Sequence, residues 1–216
     1  MNRFILLTGF RSFGLYRENS SEQVARALSS KKLSGYQIEP FLFSASIPGI
    51  AKRGEEMFEQ AMSHGYRAII SLGMASECRG IRIETIATNR IDSEKYCPEI
   101  SGTPVDCTRG YRDELQINLR PWEVDEFYLQ CWKQSIPVEF SHDAGGFCCN
   151  HLAYECALAQ LKRIRNENTV PFIFLHVPCC PEAVEGLEGF AESGKVIMDT
   201  KTIIRGLEIL LSGADL

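Results

Sequence analysis

The sequence predicts one α/β domain: a three-layer α/β/α sandwich around a largely parallel, mixed central sheet. Three observations predict it. Apolar runs of strand length alternate with stretches of helical period from one end of the chain to the other. No Pro/Gly/Ser-rich linker divides the 216 residues, so 1–216 reads as a single unit. Glycine, cysteine and histidine collect just after the apolar runs, at Gly9 to Gly14, Gly73 to Arg79, His142 to Cys149 and His176 to Cys180. Those are the positions, beyond the carboxyl ends of strands, where α/β proteins gather ligands.

Each element has its own signal. Phe4 to Thr8 reads as a buried strand, and a helix starts near Ser20 or Ser21 with apolar Val24, Ala25, Ala27 and Leu28. Gln37 to Ser44 is a second strand, and after Pro48-Gly49 a helical pattern runs through Met57, Phe58 and Met62 to His64-Gly65. Ala68 to Leu72 is a short apolar strand. Ile81 to Ile86 alternates, placing Ile81, Ile83 and Thr85 on one face and Arg82, Glu84 and Ile86 on the other. Asp92 to Arg120 lacks periodicity and reads as a long surface loop with short strands at most; that length suggests a functional role. Trp122 to Gln134 reads as a helix with Val124, Phe127, Tyr128, Cys131 and Trp132 as its stripe, and Pro137 to Phe140 as a strand. Phe147 to Arg165 is an amphipathic helix, Pro171 to Leu175 the last strong strand, and Asp199 or Thr200 opens the terminal helix.

Composition narrows the function classes. With 28 acidic and 23 basic residues the net charge is −5, and no dense Lys/Arg run exists to engage phosphates, so no nucleic-acid partner is expected. No apolar run approaches the roughly 20 residues that cross a bilayer, so no membrane partner is expected either. Phe4-Ile5-Leu6-Leu7 is cut short by Thr8-Gly9, which is no secretory signal, and a cytoplasmic location follows.

The unusual figure is nine cysteines, at 78, 97, 107, 131, 148, 149, 156, 179 and 180. An odd number in a reducing compartment favours free thiols over a disulfide framework. The adjacent pairs Cys148-Cys149 and Cys179-Cys180 lack the spacing of a structural zinc site, so no metal and no cofactor is expected. Histidines 64, 142, 151 and 176 leave a metal site open as a minority reading. Small buried hydrophobes account for most of the nine, among them Cys78, Cys97, Cys107, Cys131 and Cys156.

Cys149 stands apart. It follows Gly145-Gly146 where a strand hands over to a helix, so its sulfur belongs at a helix N-terminus, where the dipole and free N–H groups favour a thiolate and can bind an oxyanion. Cys148 is the weaker nucleophile on the same turn. His176 ends the apolar strand and places an imidazole at the carboxyl edge of the sheet, within reach of the Cys149 loop. The acid that orients the imidazole would be Glu84 if its strand face turns towards the site.

These residues resemble the pyroglutamyl peptidases, also called pyrrolidone-carboxylate peptidases, a family of cysteine exopeptidases. Leu7-Thr-Gly-Phe-Arg-Ser-Phe-Gly14 is similar to the family's Thr-Gly-Phe-x-x-Phe-Gly, and Asn19-Ser20-Ser21 to its Asn-Pro-Ser. Glu84-Thr-Ile-Ala-Thr-Asn89 resembles the segment with the catalytic Glu, Ala144-Gly-Gly-Phe-Cys-Cys-Asn-His151 the Ala-Gly-x-Phe-x-Cys-Asn-His signature, and Phe174-Leu-His-Val-Pro178 the segment with the catalytic His. Arg205-Gly-Leu-Glu208 echoes the terminal helix. The resemblance selects Cys149 over Cys148 as nucleophile, with His176 and Glu84 completing a catalytic triad. It implies that Phe10 and Phe13 wall the lactam ring, with Phe147 and Cys148 nearby, and that Asn19 and Arg79 supply polar contacts. Gly73-Met74-Ala75 stands where the family has Gly-Gln-Ala, and Arg90 to Cys97 replaces its Asp-Ala-Arg-Ile-Pro-Asp-Asn. The implied substrate is a small peptide with a blocked N-terminus, and the implied assembly a homodimer or homotetramer. Two other readings stay open: a thiol amidohydrolase for a different blocked or cyclic amide, and a non-catalytic binding protein on the same fold. Cys179-Cys180, close behind His176, are expected to add to the site's sensitivity to oxidation.

Overall fold

The three most apolar runs form the centre of the sheet. In the computed structural model, which describes residues 3–50, 53–92, 94, 100–105, 112–164 and 169–216, β1 (Phe4–Phe10), β4 (Tyr66–Met74) and β9 (Phe172–Val177) lie side by side and parallel. β2 (Lys32–Leu33) and β3 (Tyr36–Phe43) extend the sheet beyond β1; β5 (Ile81–Glu84) and β8 (Val138–Ser141) extend it beyond β9. The order is β2-β3-β1-β4-β9-β5-β8. β2 is antiparallel to β3 and β5 to β9, while the other neighbours are parallel, giving the mixed, largely parallel sheet expected.

Alternation along the strands separates two helical layers. Ile5 and Leu7, Ile70 and Leu72, Ile81 and Ile83, and Ile173 and Leu175 face one core with α1 (Ser20–Ala27), α4 (Val124–Lys133) and α7 (Thr200–Gly213). The intervening Leu6, Ile69, Phe172 and Phe174 face the other, with α2 (Ile47–Ile50), α3 (Arg53–Ser63) and α5 (Cys148–Ile164). The period of two therefore also assigns Phe10, Gly73, Glu84 and His176 to the α5 side. Helix ends follow the capping signals: Asn19 Oδ1 accepts from the Ser21 N–H at 3.0 Å and Asp199 Oδ1 from the Thr202 N–H at 3.0 Å. A short α6 (Pro181–Val184) follows β9.

Three expectations are corrected. Ile81 to Ile86 is not one strand: β5 ends at Glu84, and β6 (Ile86–Thr88) pairs antiparallel with β7 (Glu114–Gln116) in a separate two-stranded sheet. Thr85 makes the transition, its N–H donating to Ser141 O at 2.8 Å and its C=O accepting from the Ile117 N–H at 2.9 Å. The segment from Asp92 to Arg120 is accordingly more than surface loop, since Leu115 and Ile117 are buried against the α5 layer. Trp122 lies ahead of α4, in a 3-10 turn (Arg120–Trp122), fully buried with Nε1 donating to Phe172 O at 3.2 Å. The left-handed Glu123 (φ 42°) separates that turn from α4, whose buried stripe is Phe127 and Cys131, with Tyr128 and Trp132 exposed. The expectations for Cys97 and Cys107, and half of the altered stretch Arg90 to Cys97, lie outside the described residues.

Candidate active site

The carboxyl ends of the parallel strands β4 and β9, flanked by the antiparallel β5, meet the N-terminus of α5. His176 is the fifth residue of β9, beside Gly73 in the β4 register and Arg82 in the β5 register. Because β5 runs antiparallel to β9, Glu84 reaches the imidazole from the interior. His176 Nδ1 lies 2.8 Å from Glu84 Oε1, with the carboxylate fully buried. Glu84 Oε2 finds no hydrogen-bond partner among the described residues, so the imidazole is the principal polar contact of a buried charge. Phe174 packs edge-on against the ring, centroids 5.1 Å apart, and restricts its rotation.

The opposite ring edge faces the thiol. A methyl group added at Gly73 would lie 2.8 Å from Cys149 Sγ, 2.8 Å from His176 Cδ2 and 3.0 Å from His176 Nε2. Glycine is thus what lets thiol and imidazole close over β4. Cys149 is the second residue of α5 and half-buried, whereas Cys148 is buried in the α5-side core. Helix start and turn come from the sequence: Gly145 adopts φ 81°, and a side chain at Gly146 would strike Asp92 O at 2.1 Å. The first turn of a helix and the positive end of its dipole favour negative charge, so this placement suits a charge on the Cys149 sulfur or on an oxygen beside it.

Electrostatics follow from this placement. Burial by itself lowers the His176 pKa, but hydrogen bonds and attraction from Cys149 on one side and Glu84 on the other outweigh it and raise it to about 9. An imidazolium stabilised by two acidic neighbours can give a proton to a departing amine, and the neutral imidazole this leaves can then take one from water. Burial pushes Cys78 up to about 12, and Cys131 and Cys179 to about 11; Cys180 is also raised, and Cys156 lies well above its ordinary value. The described residues contain no group of three or more His, Cys, Asp or Glu arranged to hold a metal ion.

The other predicted residues fall in different places. Phe10 is buried in the α5-side core, its ring 5.8 Å from Phe43, and Phe147 and Cys149 pack against the same core. Phe13 is instead paired with Tyr16, centroids 6.3 Å apart, along a separate cleft of about 840 Å³ that also includes Leu15, Leu187 and Phe190. Phe10 and Phe13 therefore belong to different environments. Asn19 is fully buried and employed internally: Oδ1 caps α1 and Nδ2 donates to Arg11 O at 3.4 Å. These bonds fix the loop that leads into α1. Arg79 is exposed, its N–H donating to Glu139 Oε1 at 3.1 Å.

Sequence reasoning missed Asn150. Buried beside the thiol, its Oδ1 accepts the Thr88 N–H at 2.8 Å while Nδ2 donates to Thr88 O at 2.9 Å and Arg90 O at 3.0 Å. It clamps β6 to the first turn of α5. Its position directly after Cys149 was the available signal, but its partners are about sixty residues away in sequence.

An α/β sheet with a thiol at a helix N-terminus, an imidazole and a buried carboxylate defines the class of thiol hydrolases. The chain matches the model of one such family, described as pyroglutamyl peptidase, over residues 3–214, and it belongs to that family. It is 31% identical over 216 residues to the pyrrolidone-carboxylate peptidase of Bacillus cytotoxicus, covering 97% of this chain and 92% of the relative. It is 27% identical to that of Gloeobacter violaceus, covering 96% and 94%. Among solved structures, pyroglutamyl peptidase I from Bacillus amyloliquefaciens superposes with a TM-score of 0.79 at 22% identity, covering 100% of this chain and 96% of that one. The pyrrolidone carboxyl peptidase of Thermococcus litoralis gives 0.77 at 20%, covering 97% and 91%. These two likenesses support the fold.

Proposed function

We propose that this protein is a cysteine exopeptidase that removes an N-terminal pyroglutamyl residue from small peptides. The observation that carries the reading is the placement of His176 between Cys149 and Glu84, in a chain of this family. The Cys149 thiolate attacks the pyroglutamyl carbonyl carbon, forming a C–S bond and an oxyanion facing the first-turn N–H groups of α5. Collapse breaks the C–N bond as imidazolium His176 protonates the leaving amine. Water, losing its proton to His176, then attacks the thioester, and pyroglutamate leaves as the thiol re-forms. Glu84 holds the ring and its charge throughout.

Phe10 and Phe147, packed on the same side as Cys149, support a lactam pocket there, with Cys148 beneath; Phe13 lies on the neighbouring cleft. Arg79 is a polar contact for the peptide. The chain works as one α/β domain over 1–216, as a homodimer or homotetramer in the cytoplasm. No helix among the described residues is long and apolar enough to cross a membrane. The test is release of an amine reporter from pyroglutamyl, prolyl and acetyl-aminoacyl conjugates. Turnover of the pyroglutamyl conjugate alone, abolished in Cys149→Ala, is expected. Full turnover by Cys149→Ala, or preference for another blocked amide, overturns the reading.

A further inference from the structure

Ser20 is the first residue of α1 and fully buried, above the carboxyl ends of two neighbouring strands. Its N–H donates to Met74 Sδ at 3.4 Å, and its Oγ accepts the Cys180 N–H at 2.7 Å. The hydroxyl also hydrogen-bonds the Cys180 thiol, opposing the upward push of burial. Met74 is one residue beyond Gly73 on β4, and Cys180 lies four residues beyond His176, past the end of β9 and at the start of α6. Gly73 and His176 are register partners that enclose the thiol between them. The flanking residues secure a third strand end: Asn19 Nδ2 donates to Arg11 O, and Ser21 Oγ accepts the Phe10 N–H at 3.0 Å.

Helix formation does not require the Ser20 hydroxyl. Capping is done by Asn19, and the first helical position tolerates even proline, which has neither N–H nor hydroxyl. The Ser20 N–H is committed to β4, which carries Gly73, and its hydroxyl to the segment leaving β9, which carries His176. We infer that Ser20 is a positioning residue, setting the separation of the β4 and β9 ends and through it the fit of the Cys149 thiol against the His176 ring. The inference rests on the site reading above, because loosening this fit matters only if thiol and imidazole act together.

The experiment compares Ser20→Ala and Ser20→Thr in the full chain. Two profiles are followed: turnover of a pyroglutamyl reporter, and alkylation of Cys149 by iodoacetamide against pH without substrate. Ser20→Ala is expected to lower kcat about tenfold, with KM within about twofold, as expected for a small misplacement of reacting groups. The alkaline limb of both profiles should move down by about half a pH unit as the thiol–imidazole contact weakens. Ser20→Thr, retaining the hydroxyl, restores both. Unchanged kcat and limb in Ser20→Ala overturn the inference, whatever happens to the melting temperature. If Ser20→Ala fails to fold, Met74→Leu removes the sulfur acceptor at nearly constant volume and is expected to shift kcat and limb in the same direction; no shift overturns the inference. A shifted alkylation profile in a protein that never turns over the pyroglutamyl reporter supports the positioning role and overturns the substrate reading instead.

Discussion

One proton on His176 is shared between two acidic neighbours, and removing either partner has a signed consequence. In Glu84→Gln the charge that helps raise the His176 pKa to about 9 is lost. The alkaline limb of kcat/KM is then expected to move to lower pH, with kcat reduced by about 10²; a limb that stays in place contradicts the assignment. Gly73→Ala tests the thiol contact, because the new methyl would lie 2.8 Å from Cys149 Sγ. Activity should fall about a hundredfold with the fold retained by circular dichroism. Oxidation is revised at this scale. Cys179 and Cys180 are fully buried with raised pKa values, so they should not compete with the half-buried Cys149. Brief iodoacetamide treatment at neutral pH, followed by peptide mapping, is expected to label Cys149 first among the seven described cysteines. Cys149 and His176 were legible because their signals are local: a glycine turn before a helix and the end of an apolar run. Asn150 and Ser20 were not, because their partners lie about 60 and 160 residues away.

Between elements, the α3–α5 crossing holds the helix that carries Cys149 in place. Gly54 on α3 approaches α5 so closely that a methyl group there would lie 2.4 Å from Glu155 Cβ and 2.9 Å from Glu155 C. The Gly54 N–H donates to Glu155 Oε2 at 2.9 Å, and Glu155 Oε1 meets His151 Nε2 at 3.1 Å. Gly54→Ala must push the helices apart, and urea unfolding should show a loss of about 1–3 kcal/mol. An unchanged midpoint would mean that the crossing adjusts freely. The capped helices α1 and α7 and the central strands were readable from capping residues and periodicity. The break at Thr85 and the turn at Trp122 were not, because each depends on tertiary partners, Ser141 and Phe172, that override the local pattern.

Across the whole molecule, the buried pair links stability to pH. The His176 pKa is raised from 6.5 to about 9, so the contribution of its protonated form is complete below about pH 6.5 and lost as pH rises through 9. Buried thiols act later: Cys78, raised from 9.0 to about 12, destabilises the fold only as pH climbs above 9. Urea midpoints should therefore fall between pH 6.5 and 9, and Glu84→Gln should flatten that window alone. The order of the chain is what gathers the site: one sheet edge, one face and one helix N-terminus bring residues 73, 84, 149 and 176 together. The most direct test of the central claim is mass spectrometry of the enzyme acid-quenched during turnover of a pyroglutamyl peptide. The account predicts one pyroglutamyl group in thioester linkage on Cys149, absent when His176 is replaced by Ala, because the same imidazolium is needed to expel the leaving amine. Turnover with no adduct, or an adduct on Cys148 instead, would contradict it.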